Sequence, residues 1–367
     1  MLGGNSPHGR IGKMALVATL ILTSFIAMRG SPARAGSDFS FPRPAALEPN
    51  IDFWVNAFTA YSERDFVIHD RDHVWRVYQV LHMPGEGAPT REEAGWANDY
   101  LKYKYAAILN HLATGSQPTT YEEQRVAALF KGEPPAAYEL AAQNLRVQQG
   151  LKEPFEASLL RSRYYRSTME RIFQGFGLPP ELASLPSVES GFENTAHSSA
   201  GAVGIWQFTR ATGKQYMTIT RYRDDRLDPV ASTRAAAQLL QENYEALGSW
   251  PLAITAYDFG TGGMQEAESA YGTDFTRIVN NFAAPHFGFA AKNYYAEFLA
   301  ARQVDQYQDK YFPGIRYEEA MPPAQPSTIL RVAARHSSRS RHHIRLRHAS
   351  FHTHRHHRSV IRHRSRT

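Results

Sequence analysis

The stretch from Leu178 to Gly213, LPPELASLPSVESGFENTAHSSAGAVGIWQFTRATG, constrains the fold more than any other part of the chain. Pro179-Pro180 opens a helix, and Pro186 limits it. A proline inside a helix removes a hydrogen bond and clashes with the preceding turn. The helix must therefore be short or kinked. Leu182, Leu185 and Val188 fall at helical spacing and face a core. Glu189 follows Val188 and points around the edge, toward a cleft. A loop rich in Gly, Ser and Asn comes next, and then the apolar aromatic run Gly204-Ile205-Trp206-Gln207-Phe208.

This order suits acid chemistry. Burial disfavours the charged form of a carboxyl, so one set beside hydrophobic surface keeps its proton at neutral pH. A glycine-rich loop lets backbone approach a ligand closely. Trp206 and Gln207 offer a stacking surface and hydrogen-bonding groups. The competing reading is the ordinary one for an acid, a solvated Glu189 with no role.

The wider order of residues favours the first reading. Glu189-Ser190 is followed by Gly201-Ala202-Val203-Gly204-Ile205-Trp206-Gln207, and later by Ala256-Tyr257-Asp258. This set resembles the lytic transglycosylases of the goose-lysozyme-like superfamily, whose pattern is E-S, then G-A-x-G-hydrophobic-[MW]-Q, then A-Y-N. The resemblance is firm from Arg146 to Ala267 and looser over residues 53–149 and 275–300. It implies a lysozyme-like catalytic domain that cleaves peptidoglycan between N-acetylmuramic acid and N-acetylglucosamine. It further implies Glu189 as acid and base, Ser198 and Gln207 as sugar contacts, Tyr257 as the A-Y-N tyrosine beside the carboxyl, and Tyr294 as a second cleft tyrosine. For both tyrosines the competing reading is a core aromatic with a partnered hydroxyl.

Glycosidases commonly use two carboxylates. The candidates nearest Glu189 are Glu193, Asp224, Asp225 and Asp258. Glu193 reads as loop surface, and Asp224-Asp225 sit in the charged run Arg221–Arg226, an ion-paired or solvated face. Asp258 stands where the family has Asn. It would raise the Glu189 pKa by like-charge repulsion, or serve as a second carboxylate in the cleft. Phe259 is bulkier than the family residue, and Ala290-Ala291 replace an expected Glu-Thr. Two alternatives stay open: a muramidase that hydrolyses the same bond, and a non-catalytic peptidoglycan-binding protein. Neither needs a cofactor.

The chain has 367 residues, no Cys, and 43% hydrophobic residues, enough for a real core. Without Cys there is no disulfide framework, thiolate metal site, cysteine nucleophile or lipidated cysteine. Residues 1–35 read as a signal peptide: basic Arg10 and Lys13, the apolar run Met14–Ala27, and the A-x-A site Ala33-Arg34-Ala35. This places the mature protein in a periplasm; an uncleaved anchor is the alternative. Residues 331–367 hold 11 Arg and 9 His and no acid, so the net +6 resides there and the rest of the chain is acidic. Such a tail is expected to be disordered. It is either simply solvated or a tether to anionic envelope polymers or lipid. Export and the acidic body argue against nucleic acid. The His342-His343 and His356-His357 pairs lack the spacing of a folded site, so no structural metal is expected.

The expected fold class is mainly α: a lysozyme-like catalytic domain, an N-terminal helical accessory region and a disordered basic tail. Residues 36–50 read as a linker, 51–150 as the accessory region, 151–304 as the catalytic domain and 305–330 as a second linker. Residues 67–69 and 74–81 form either a hairpin or a helix start; periodicity leaves both open. The nearby His69, Asp70, Asp72 and His73 read as a polar turn in preference to a metal site. Thr90–His111 reads as a helix with Trp96, Tyr100, Tyr103 and Ile108 along one face. Residues 121–130, 136–149 and 155–176 read as further helices. Asp228-Pro229 is a helix start, with Val230, Ala237, Leu240, Tyr244 and Leu247 as the buried stripe and Gly248 as its end.

Overall fold

The computed structural model describes residues 41–315. The expected signal peptide, the basic tail, residues 36–40 of the first linker and residues 316–330 of the second lie outside the described residues.

The described chain opens with a 3-10 turn, Ala45–Leu47, and helix α1, Glu48–Thr59. Three strands follow, β1 (Asp65–Asp70), β2 (Val77–His82) and, later, β3 (Leu145–Gln149). Helices α2 (Arg91–Ala113), α3 (Tyr121–Ala128) and α4 (Ala136–Gln143) lie between β2 and β3. The strands form one antiparallel sheet in the order β2-β1-β3. Ile68 pairs with Gln79 on one side and Val147 on the other, and the β1–β2 register shifts after Ile68.

Of the two readings for residues 67–81, the hairpin is the one that forms. Its β-branched and aromatic residues suit a pleated surface. The accessory region is thus not purely helical. The third strand occupies the end of what reads as one helix from 136 to 149. Leu145-Arg146-Val147-Gln148-Gln149 has no apolar run to mark it, and only its pairing with β1 makes it a strand.

β1 is buried on both faces because both are covered. Phe66 and Ile68 join Tyr78, Leu101, Tyr105, Leu109, Val126 and Phe130 in a core under α2 to α4. On the other face His69 packs against Phe53 at 4.7 Å between ring centres. The buried stripe of α2 is Ala97, Leu101, Tyr105, Leu109 and Leu112. Trp96, Tyr100 and Tyr103, expected on that stripe, are exposed instead, Tyr103 by 82%. The two stripes lie side by side on the helix, and the row through Ala97, Leu101, Tyr105 and Leu109 is the one that packs inward. Asp70 closes the polar turn by accepting from the backbone N–H groups of Asp72 and His73.

The second half is helical: α5 (Lys152–Ser162), α6 (Arg166–Gly175), a 3-10 turn (Pro180–Ser184), α7 (Leu185–Glu189) and α8 (Arg210–Tyr216). Then come α9 (Pro229–Leu247), α10 (Trp250–Phe259), α11 (Thr261–Tyr271), α12 (Phe275–Asn281), α13 (Phe289–Gln306) and α14 (Gln308–Tyr311). The single helix expected over 155–176 is two. Ser162 turns its hydroxyl back to the Leu159 carbonyl, a local bond that competes with helix continuation. α9 begins as its sequence says: the Asp228 carboxylate accepts from the N–H groups of Val230 and Ala231, and Gly248 ends it at φ 62°. Val230, in the open first turn, is 44% exposed and not part of the buried stripe.

α13 is the central helix. It buries residues on nearly every side, among them Tyr294, Tyr295, Phe298, Leu299 and Val304. A helix covered on most of its sides belongs inside a core. Four alanines, Ala291, Ala296, Ala300 and Ala301, let neighbours approach. It packs along α1, α10 and α7. No helix among the described residues is long and apolar enough to cross a membrane.

Candidate active site

Glu189 is the last residue of α7. The helix stops there because Ser190 leaves helical geometry, and Gly191 and Phe192 both adopt φ 58°. A left-handed phenylalanine is costly. Here its ring is fully buried, which offsets the cost. The Pro186 carbonyl accepts from the N–H groups of both Ser190 and Phe192 and closes the turn.

Two hydroxyls hold the G-I-W-Q segment against this turn. Ser190 donates to the Ile205 carbonyl at 2.8 Å, and Tyr257 donates to the next carbonyl, Trp206, also at 2.8 Å. The E-S, G-I-W-Q and A-Y motifs are therefore joined through consecutive carbonyls of one loop. Trp206 itself is fully buried. Its indole N–H donates to Thr233 Oγ1 at 2.9 Å, and its ring packs against Phe173. It is a core residue and not the sugar-stacking surface expected of it. Gly204 likewise serves the fold: at φ 83°, a Cβ there would stand 2.1 Å from the Arg226 carbonyl oxygen. The close approach the glycine allows is to the chain's own backbone.

Tyr294, on α13, donates its hydroxyl hydrogen bond to Oε1 of Glu189. Burial pushes the Glu189 carboxyl up to about 8, and the neighbouring Asp258 adds to the rise; the Tyr294 hydrogen bond works against both. Both tyrosine hydroxyls are held far above their ordinary range, first by burial and then by the Glu189 charge. They stay protonated, as donors. Asp258 opens to solvent on one side, and partial burial of its carboxyl raises its pKa.

The structure thus gathers Glu189, Tyr257, Asp258 and Tyr294, from α7, α10 and α13. Gln207 is half-buried at φ 47°, with its side-chain amide donating to the Gly204 carbonyl at 2.7 Å. Ser198 is exposed, and its hydrogen bonds stay within the loop: its hydroxyl accepts from the Ala202 N–H. Of the remaining acids, Asp224 pairs with Arg226 at 2.7 Å and Asp225 with Arg223 at 2.5 Å. Glu193 accepts from Thr195 in the loop. One acid escaped sequence reasoning. Glu297, three residues after Tyr294, is pushed up to about 8 by burial, with Asp258 and Glu189 repelling its charge and Arg146 attracting it. A lone acid in an otherwise apolar stretch one helical turn from a site tyrosine was the available signal. A cavity of about 730 Å³ lies elsewhere, lined by Arg166, Glu170, Arg302 and Asp305 among others, and holds none of these residues.

Residues 174–279 match the family described as the transglycosylase SLT domain. The match includes Glu189, Ser198, Gln207, Tyr257 and Asp258 and stops before Tyr294. The chain is 45% identical over 92 residues to the membrane-bound lytic murein transglycosylase D of Escherichia coli K12, covering 24% of this chain and 20% of that protein. It is 38% identical over 94 residues to a putative tributyltin chloride resistance protein of Alteromonas sp. strain M-1, covering 25% of this chain and 45% of the relative. The chain therefore spans a fifth to under half of the length of these curated relatives. The motif order, the helical fold and the family match agree on one point: residues 174–279 carry a transglycosylase SLT domain, similar to that of membrane-bound lytic murein transglycosylase D.

Proposed function

We propose that this chain is a lytic transglycosylase of peptidoglycan, with Glu189 as its acid and base. The observation that carries the reading is the Glu189 carboxyl: buried enough to hold its proton to about 8, and met by a tyrosine hydroxyl from α13. A group that keeps its proton at neutral pH can deliver it to a leaving oxygen. In the first half-reaction Glu189 protonates the bridging oxygen as the bond to C1 of N-acetylmuramic acid breaks. In the second, the C6 hydroxyl of the same sugar attacks C1 and gives its proton back to the Glu189 carboxylate. The product is a 1,6-anhydromuramoyl end, with no water consumed. The nucleophile belongs to the substrate, which supplies the proximity advantage. Tyr294 stabilises the carboxylate between the two halves, Tyr257 holds the G-I-W-Q loop, and Gln207 and Ser198 meet sugar. The site is an envelope one, reached after export; a tail tether to anionic polymers or lipid rests on sequence alone.

Asp258 supports a second reading. Its charge opposes ionisation of Glu189, and a second carboxylate that activates a water would make the enzyme a muramidase. A digest of purified peptidoglycan, read by mass spectrometry, separates the two. Muropeptides one water lighter than reducing-end products, absent with Glu189→Gln, support the transglycosylase. Reducing ends support hydrolysis. No release by a folded wild-type protein that sediments with the wall would leave a binding module.

A further inference from the structure

The loop that carries Ser198 and Gln207 is fixed in its middle and at its ends by different groups. Ser190 and Tyr257, the neighbours in sequence of Glu189 and Asp258, hold the Ile205 and Trp206 carbonyls in the middle. One side chain reaches both ends. Arg226 lies in a 3-10 turn, Asp225–Leu227, just ahead of α9, and is buried. Its Nη1 donates to the Gly201 carbonyl and to the Phe208 carbonyl, each at 3.2 Å. Gly204 and Gln207 lie between these two acceptors in the chain. The Phe208 carbonyl also accepts from the Val203 N–H at 3.1 Å, and the Ser198 N–H donates to the carbonyl of Ala202, the residue after Gly201, at 2.9 Å. The backbone carbonyl of Arg226 is the group that leaves no room for a Cβ at Gly204. A single residue thus meets the loop at Gly201, Gly204 and Phe208.

A buried guanidinium needs an anion and a full set of acceptors. Asp224 supplies the anion. Arg226 Nε donates to its Oδ1 at 2.9 Å and Nη2 to its Oδ2 at 2.7 Å, a two-pronged pairing, and Oδ1 also accepts from the Arg226 backbone N–H at 3.2 Å. This pairing fixes the plane of the guanidinium and so the direction in which Nη1 points. A lysine ammonium has no such fork. Stability alone does not call for the arrangement, because buried ion pairs often contribute no more than apolar residues of the same size. What the fork adds is direction. We infer that Arg226, oriented by Asp224, is a positioning residue of the candidate site: it sets the distance between the two ends of the loop, and with it the placement of Ser198 and Gln207 against sugar. The inference rests on the reading that this loop meets peptidoglycan glycan. The groups that bear on the Glu189 proton are Tyr294 and Asp258, neither of which Arg226 touches. Loosening the loop ends therefore weakens glycan binding and leaves the acid chemistry in place.

The test compares the full chain with Arg226→Lys, which keeps the charge and loses the fork. Three quantities are read: KM and kcat on soluble, peptide-free glycan strands, the pH profile of kcat, and backbone hydrogen exchange. KM should rise about tenfold while kcat stays within about threefold. The alkaline limb of the pH profile should stay where it is. The Val203 and Gly204 amides should exchange at least about tenfold faster, with the Leu240 amide in α9 unchanged. An unchanged KM in a folded variant would overturn the inference, and so would a rise in exchange shared equally by Leu240, which marks a loss of stability throughout the domain. If the wild-type protein binds glycan strands without cleaving them, the activity reading fails, and a tenfold weaker dissociation constant in the variant upholds the positioning role. If the wild-type protein does not bind the strands at all, both readings fail. Should Arg226→Lys not fold, Asp224→Asn frees the fork from its other side and must give the same split. If neither variant folds, Arg226 is a stability residue and the inference falls.

Discussion

The hydroxyl of Tyr294 reaches Oε1 of Glu189 across 105 residues of sequence. The two side chains come from a long, largely buried helix of the second half and from one of its shortest. Tyr294→Phe removes the donor and leaves the ring. The carboxylate then loses a stabilising contact, so Glu189 holds its proton to still higher pH and the alkaline limb of the pH profile moves up. Turnover should fall about 10- to 100-fold, because the carboxylate formed between the half-reactions is less stable. Initial rates of muropeptide release, measured across pH, check both. Unchanged rates in a folded variant would reduce Tyr294 to a packing residue.

Glu189→Gln should cut turnover by about 10²–10⁴-fold and at the same time stabilise the fold in alkali. The sign follows from the raised pKa. The unfolded carboxyl titrates near 4.5 and the folded one near 8. The folded state therefore binds the proton more tightly, and its stability falls as pH rises from about 4.5 to about 8. Gln has no proton to lose. The variant's melting temperature should exceed that of wild type by a margin that grows across this window and then levels off. Calorimetry at pH 5, 7 and 9 reads it directly, and a constant margin would show that Glu189 is not buried as an acid.

Asp258→Asn restores the residue expected after Ala-Tyr. With the like charge gone, Glu189 ionises at lower pH and the alkaline limb shifts down. Products should remain 1,6-anhydro ends if the C6 hydroxyl is the nucleophile. If wild-type digests contain reducing ends and the variant loses them, water activation by Asp258 is the correct chemistry.

Thr233→Val tests the buried support of the loop. The Thr233 hydroxyl accepts from the Trp206 indole at 2.9 Å and donates to the Pro229 carbonyl at 2.5 Å. Valine keeps the shape and strands the indole N–H in a dry core. The expected loss is about 1–3 kcal/mol, measured by urea unfolding. A smaller loss would mean that Trp206 finds another partner on relaxing.

Most of the second half was legible in the chain. The Asp228-Pro229 start and Gly248 stop of α9 are local chemistry: a carboxylate that caps, a ring that pre-sets φ, a residue without Cβ. The Glu189-Ser190, Gly204–Gln207 and Ala256-Tyr257 motifs could be placed for the same reason, as their residue types and order are properties of sequence. What those motifs do was harder to read. Trp206 looked like a ligand surface and is a core ring, because whether an aromatic faces a cleft or a helix depends on what packs over it. The exposed row on α2 failed in the same way, since a helix with apolar residues on adjacent stripes does not say which is inside.

The sequence by itself determined the helical class, the helix ends set by Pro, Asp and Gly, and the residue types available for acid chemistry, all of which depend on near neighbours along the chain. The tertiary structure alone decided that β3 pairs with β1, that Tyr294 meets Glu189, and that Arg226 reaches the Gly201 carbonyl. These contacts join residues tens to more than a hundred positions apart, and their energies arise from burial and charge at short range, which exist only once the helices have packed.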